Sequence, residues 1–228
     1  MIKQVYFAKR NPSTTHAQFL QNWKQHAALA GRFPSIVGRF TGVVQCRRTD
    51  EAASLDVDQD HDGVNILTCK DLLAASTVDD DPNIDTMLTD ELRVFSRYVR
   101  ESTITAVEDV LVRGPVGTLV LLELVTRRPG VTLPAFVSAW TGDYASRLMQ
   151  SERFGDRVSR FVHNAVIFPT PPDYPYDGLA ELWIDSAASA AELIQQSDAA
   201  HAATGDGAFD ISRRLLLQVN HAWEARPA

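Results

Sequence analysis

The stretch Phe19-Leu-Gln-Asn-Trp23-Lys-Gln-His26 places two aromatic rings and an imidazole at i, i+4 and i+7. On a helix of 3.6 residues per turn the three share one face. His26 can take or give a proton near neutral pH, or it can be a core histidine bonded to a backbone carbonyl. Glu181 sits in the apolar run from Leu179 to Trp183, and strand alternation puts it on one face with both of those residues. A carboxylate in such surroundings is costly unless paired, and acid–base groups for neutral pH are made that way. Glu123, inside Leu119–Val125, repeats the pattern. Aligning Phe7 with Leu124 puts Tyr6 at the place of Glu123, where its phenol could orient a substrate oxygen. These four, His26, Glu181, Glu123 and Tyr6, are the candidate catalytic residues.

Trp183, His221, His163, Tyr144 and Trp23 are the candidate substrate contacts. His221 shares one face of the last strand with Leu217, Val219 and Trp223, and His163 lies on the second strand of the second copy. Imidazoles gathered in one cavity suit zinc, iron or copper. No His-x-x-x-His spacing occurs, however, and the cysteines are only Cys46 and Cys69. No metal is expected. The run Asp58-Gln-Asp60-His-Asp62-Gly63 copies the first half of a calcium loop, but its twelfth position is Cys69 rather than a bidentate glutamate. It reads as a solvated acidic loop.

The elements that must position these groups come in one order, twice. Strands are expected at residues 2–10, 39–47, 64–69 and 103–112, with helices at 16–31 and, interrupted near Asp79-Asp80-Asp81-Pro82, at 71–96. The breaker cluster Arg113-Gly114-Pro115-Val116-Gly117 follows. Strands at 118–125, 160–168, 179–184 and 215–223 then alternate with helices at 134–154 and 187–202. Residues 1–112 and 118–228 therefore form two β-α-β-β-α-β units joined by a linker at 113–117.

Three anchors recur in the same order. Phe19…Trp23 matches Phe136…Trp140, Phe33…Phe40 matches Phe154…Phe161, and Asp62-Gly63 matches Asp177-Gly178. In the second copy Asp143, followed by Tyr144, stands where the first has His26. The β-α-β-β-α-β order is that of a ferredoxin-like split βαβ unit, a four-stranded antiparallel sheet with helices on one face. Two such sheets can cover each other's bare faces as an α+β barrel within one chain. The space between them is then the expected pocket. The Pro-Tyr loop from Pro169 to Tyr176 is placed to cover one mouth of that barrel.

Composition narrows the function classes. The chain has 228 residues with 22 Lys and Arg against 29 Asp and Glu, a net charge of −7. That acidity, without a basic cluster, argues against nucleic acid. No apolar run reaches membrane-spanning length and none follows the N-terminal charges, so neither a transmembrane helix nor a signal peptide is expected. A cytoplasmic location with free, buried thiols is the expectation. No G-x-G-x-x-G, phosphate loop or G-x-S-x-G elbow is present, which leaves nucleotide chemistry and serine hydrolysis without a motif.

Phe19-x-x-x-Trp23-x-x-His26 and Tyr176-Asp-Gly-Leu-Ala-Glu-Leu-Trp183 resemble motifs of the EthD family, within the dimeric α+β-barrel superfamily. The two repeats carry the resemblance over nearly the whole chain. It implies a pocket enzyme without an organic cofactor, acting on a small hydrophobic, aromatic or phenolic compound. Lyase- or isomerase-type acid–base chemistry is the first expectation and cofactor-free oxygenation the second. Some branches of the superfamily bind haem, so a non-catalytic barrel for haem or a hydrophobic ligand is the third. Each half keeps a different part of the family's polar set, which implies one composite site or one working pocket beside a decayed one. A monomer is allowed by the fusion, and a homodimer stays open.

Overall fold

The computed structural model describes residues 1–204 and 207–224. Eight antiparallel strands close into a barrel in the order β1-β3-β2-β8-β5-β7-β6-β4. They are β1 (Ile2–Ala8), β2 (Phe40–Arg48), β3 (Gly63–Cys69), β4 (Thr103–Val112), β5 (Leu119–Arg127), β6 (Arg160–Val166), β7 (Gly178–Ile184) and β8 (Phe209–Glu224). Closure leaves no unpaired strand edge. The seams between the two halves of the chain are β2 with β8 and β4 with β6.

Helices α1 (His16–Ala30), α2 (Pro34–Val37), α3 (Leu72–Ser76) and α4 (Ile84–Val94) lie in the first half. In the second are α5 (Leu133–Val137), a π-helical segment Ser138–Tyr144, α6 (Ala145–Met149), α7 (Phe154–Arg157) and α8 (Ala187–Ala203). Their starts follow the sequence: Thr15 caps α1 in a capping box with Gln18, Thr132 caps α5 before Pro134, and Ser186 caps α8. Phe19, Trp23 and His26 are the buried residues of α1.

Strand alternation sorts the side chains into three layers. Odd residues of β1 and β7 and even residues of β5 point into the barrel, where Val5, Phe7, Leu122, Leu124, Leu179 and Trp183 pack together. The second half seats Phe136, Trp140, Phe161, Leu182 and Leu193 between sheet and helices. The first half does the same with Tyr6, Phe19, Trp23, Val94 and Phe95.

Several expectations change here. The space between the two halves of the barrel is packed with these side chains and is not the pocket. Tyr174 and Tyr176 of the Pro-Tyr loop belong to this inner layer, and Tyr174 stacks on Phe7 with ring centroids 5.1 Å apart. The loop therefore plugs the barrel end. β8 begins at Phe209, earlier than its apolar run suggests, because Phe209–Ile211 pair with β5. A register shift in β8 opposite Gln45 and Cys46 leaves Asn220 as an extra residue. This bulge reverses the alternation, so Val219 joins the barrel interior while His221 and Trp223 turn to the helix side. Those four residues from Leu217 to Trp223 thus do not share one face.

The π-helical winding of Ser138–Tyr144, inside a stretch expected to be one regular helix, also has a cause. From Phe19 to His26 is seven residues, whereas Phe136 to Tyr144 is eight. The π-wound segment absorbs the additional residue, so Tyr144 points inward and Asp143 stays exposed.

Candidate functional site

A cavity of about 520 Å³ lies between the outer face of the first half's strands and helices α1, α2 and α4. Ile36, Phe40, Leu67, Ile84, Met87 and Leu88 make its walls apolar. Its polar groups come from β1 (Gln4, Tyr6), β3 (Asn65), β4 (Thr103, Thr105), α1 (His26) and α4 (Glu91). Phe168 and Pro169 after β6, together with His221 and Trp223 of β8, complete the lining from the second half. The site is composite in that sense.

Tyr6 is fixed at its oxygen. Trp23 Nε1–H donates to it at 2.9 Å and Asn65 Nδ2 at 3.1 Å. Both lone pairs are thereby used, and the hydroxyl proton is left for an acceptor in the cavity. Burial pushes the phenol's pKa well up despite these two bonds, so it is a donor at any ordinary pH.

His26 is oriented from α4. Its Nδ1 lies 2.8 Å from Asp90 Oδ2, and its ring meets Phe95 edge-on with centroids 5.4 Å apart. Burial lowers its pKa, outweighing the pull of Asp90. Burial works against the charge of Asp90, but Arg93 and His26 hold its carboxyl below the usual range. The neutral imidazole then keeps its proton on Nδ1, toward Asp90, and Nε2 is the basic nitrogen.

Glu91 is the residue that the sequence reading passes over. It shares a buried stripe of α4 with Met87 and Val94, the same i, i+4, i+7 spacing that singles out His26. Its Oε2 accepts from Val99 N–H at 2.8 Å. Burial chiefly, with Asp79 and Glu101 adding to it against Val99 N–H and Arg100, pushes its pKa up to about 7. Asp90 carries no such signal in the sequence, being one of several acids in its region.

The remaining candidates lie elsewhere, because strand parity directs them away from the cavity. Glu181 points into the barrel, where Lys3 Nζ (2.7 Å), Asn164 Nδ2 (2.8 Å) and Trp183 Nε1 (3.0 Å) donate to it. Lys3 also pairs with Glu108 at 2.6 Å. Glu123 faces the second half's helices, where Tyr144, Ser197 and Arg214 all hydrogen-bond to it. Tyr144 is fully buried there, in the second half's core. His163 is sealed against Trp140, its ring stacked at 4.0 Å, with neither nitrogen bonded. Trp23 acts from behind Tyr6. So the structure brings Tyr6, His26 and His221 to one cavity, and does not bring Glu181, Glu123, Trp183, His163 or Tyr144 there.

The acidic loop is occupied by its own protein partners. Asp62 accepts from the backbone N–H and guanidinium of Arg10, and Asp58 pairs with Arg213 at 2.7 Å. Among the described residues no group of three His, Cys, Asp or Glu is arranged to hold a metal ion. Haem would require cationic partners for its two propionates. Among the described residues Arg100 is the one Arg or Lys in the cavity lining, against Asp79 and Glu91, so the lining does not fit that group. Among the described residues no helix is long and apolar enough to cross a membrane.

No protein-family model matches the chain, and no curated protein matches it in sequence. Solved structures do. An anthrone oxidase-like protein is 11% identical with a TM-score of 0.58, covering 98% of this chain and 92% of that one. A mutant chlorite dismutase from Candidatus Nitrospira defluvii is 6% identical with a TM-score of 0.60, covering 96% and 91%. A dye-decolorizing protein from V. cholerae is 8% identical with a TM-score of 0.55, covering 96% and 93%. At such identities the likeness is one of fold: the chain has the closed eight-stranded α+β barrel of these proteins.

Proposed function

We propose that this chain is a cofactor-independent enzyme that moves a proton on a small aromatic or phenolic compound held in the cavity beside Tyr6 and His26. One observation carries the reading. Both residues line one apolar cavity, and each has its other polar contacts already filled, Tyr6 by Trp23 and Asn65 and His26 by Asp90. His26 Nε2 takes the proton, and Asp90 steadies the imidazolium that results. Tyr6 donates its hydrogen bond to the substrate oxygen as negative charge collects there. His221, at the exposed side of the cavity, contacts the substrate's outer edge.

Lyase- or isomerase-type chemistry is the first outcome of such a step. The second is oxygenation, since a deprotonated phenol or enol can react with oxygen; the anthrone oxidase-like neighbour supports keeping it. The EthD resemblance and a cytoplasmic location belong to the same reading.

So does the duplication of residues 1–112 and 118–228. Asp62 and Asp177 support it: each accepts from the backbone N–H of an arginine near the end of the first strand of its own half, Arg10 at 2.8 Å and Arg127 at 2.7 Å. Gly63 and Gly178 support it too, each lying under an indole, Trp23 or Trp140.

The test is a thermal-shift screen of phenols and enolisable aryl ketones, with hits followed by deuterium uptake from heavy water and by oxygen consumption. We expect His26→Ala to slow exchange by about a hundredfold or more. Oxygen uptake with a hit would select the second chemistry. Unchanged exchange in His26→Ala, or no hit at all, overturns the proposal.

A further inference from the structure

Buried carboxylates in this protein are paired with cations. Asp62 has Arg10, Asp81 has Arg39, Glu108 and Glu181 share Lys3, and Glu123 has Arg214. Glu91 is also buried, and among the described residues no cation lies within ion-pair reach of it. An unpaired carboxylate buried in this way is costly, and the group relieves the cost by keeping its proton.

The geometry also says which oxygen would carry that proton. Val99 N–H donates to Oε2, which suits a carbonyl-type oxygen. Oε1 has no partner among the described residues and is the place for the hydroxyl. Glu91 and Tyr6 line the same cavity, with His26 on the facing helix.

We infer that Glu91 works as a protonated acid beside Tyr6, the two O–H groups forming a paired clamp for one substrate oxygen that becomes anionic. The inference rests on the function proposed above and narrows its substrate class. The bound molecule is a phenol, enol or enolisable ketone whose oxygen gains charge when His26 removes a proton. A carboxylate-bearing molecule without such an oxygen is not served by this pair. The position of Glu91's pKa, about 7, agrees with the role. The step balances: a C–H or O–H bond breaks, its proton goes to His26 Nε2, its electron pair goes to the oxygen, and Glu91 and Tyr6 stay protonated.

Binding of pentafluorophenol tests the clamp without turnover, because this phenol is ionised over about pH 7 to 9. An anionic oxygen would bind only while Glu91 holds its proton. The wild-type Kd, measured by calorimetry, should therefore rise about tenfold per pH unit above about 7. Glu91→Gln keeps a neutral donor and should flatten that slope to less than about twofold over the whole range. Tyr6→Phe should weaken binding about tenfold at every pH and leave the slope intact.

Asp79, Arg100 and His221 also face the cavity, and Glu101 lies near Glu91. His221→Gln is measured alongside and should keep the slope. A flat wild-type profile, a slope that survives in Glu91→Gln, or one that disappears in His221→Gln overturns the inference, as does absence of saturable binding. Since binding a phenolate needs no base, the slope judges Glu91 even where the His26→Ala exchange experiment goes against the proposed reaction.

Discussion

Trp23 of α1 and Tyr6 of β1 are joined by a hydrogen bond of 2.9 Å from the indole nitrogen to the phenol oxygen. A helix in the core layer thereby sets the direction of a hydroxyl at the cavity wall. Both residues are buried, so the bond is dry and its loss is felt.

Trp23→Phe should accordingly reduce stability by about 2 kcal/mol, through the vacated ring volume and the lost donor. Its effect on pentafluorophenol binding should be a several-fold weakening at all pH values, smaller than that of Tyr6→Phe. Chemical denaturation and calorimetry on the same variant check both parts. Unchanged binding would mean that Asn65 alone holds the hydroxyl.

The two glycines under the indoles make a paired prediction. A Cβ on Gly63 would fall 2.6 Å from the Trp23 ring and 2.4 Å from the Cys46 carbonyl oxygen; one on Gly178 would fall 2.5 Å from the Trp140 ring. Backbone and a packed indole cannot yield easily. Each change to alanine should cost about 1–3 kcal/mol, seen as a lower unfolding midpoint. Gly142, where an added Cβ meets nothing within 4 Å, is the control, and Gly142→Ala should fall well below either.

His163 should make the protein acid-sensitive. Burial pushes its pKa down to about 3, from an ordinary value of 6.5. The unfolded chain therefore binds a proton that the folded chain refuses, and stability falls as pH drops below 6.5, until about 3. At pH 5 the loss amounts to about 2 kcal/mol. His26, whose pKa is also lowered by burial, adds in the same direction. His163→Phe should flatten this part of the stability profile between pH 7 and about 5, measured by urea unfolding. A wild-type profile already flat over that interval would contradict the burial argument.

Lys3 sits between Glu108 and Glu181 at 2.6 and 2.7 Å, with its side chain almost wholly buried. Removing the ammonium leaves two carboxylates inside the barrel, with Arg160 reaching only one of them at 3.6 Å. Lys3→Met should destabilise by about 3–5 kcal/mol. Combining it with Glu108→Gln and Glu181→Gln should restore most of that, since the uncompensated charge is then gone. If the single change is harmless, the ion network contributes little.

Much of the scaffold could be read from residue patterns, and its limits are physical. The stripe Phe19–Trp23–His26, its Thr15 cap and the recurrence of Asp-Gly before a strand each depend on local chemistry, which a chain carries within a few residues. What faces what across the barrel depends on partners far away. In the sequence Glu181 and Glu123 both stand as isolated carboxylates because Lys3 and Arg214 lie 178 and 91 residues away along the chain. Strict alternation sets His221 on one face with Leu217 and Val219, because a bulge is invisible to it. Glu91 carries a readable signal, an acid on a helix's apolar stripe, but the break at Asp79-Asp80-Asp81-Pro82 obscures where that helix and its stripe begin.

The extra residue at Asn220 bears on how such a site is gained or lost. Substitution at His221 or Trp223 alters the cavity wall one group at a time. Deleting Asn220 would only remove the bulge, leaving His221 opposite Gln45 and Trp223 opposite Val43, still toward the cavity. Drawing Asn220 into the ladder would instead turn Asn220 and Ala222 toward the cavity, and His221 and Trp223 toward the packed interior. The second half's contribution to the first half's site thus hangs on the register of this strand as much as on residue identity. In lineages descended from this chain, a change that straightens the bulge would be the abrupt step between a shared cavity and a separated one.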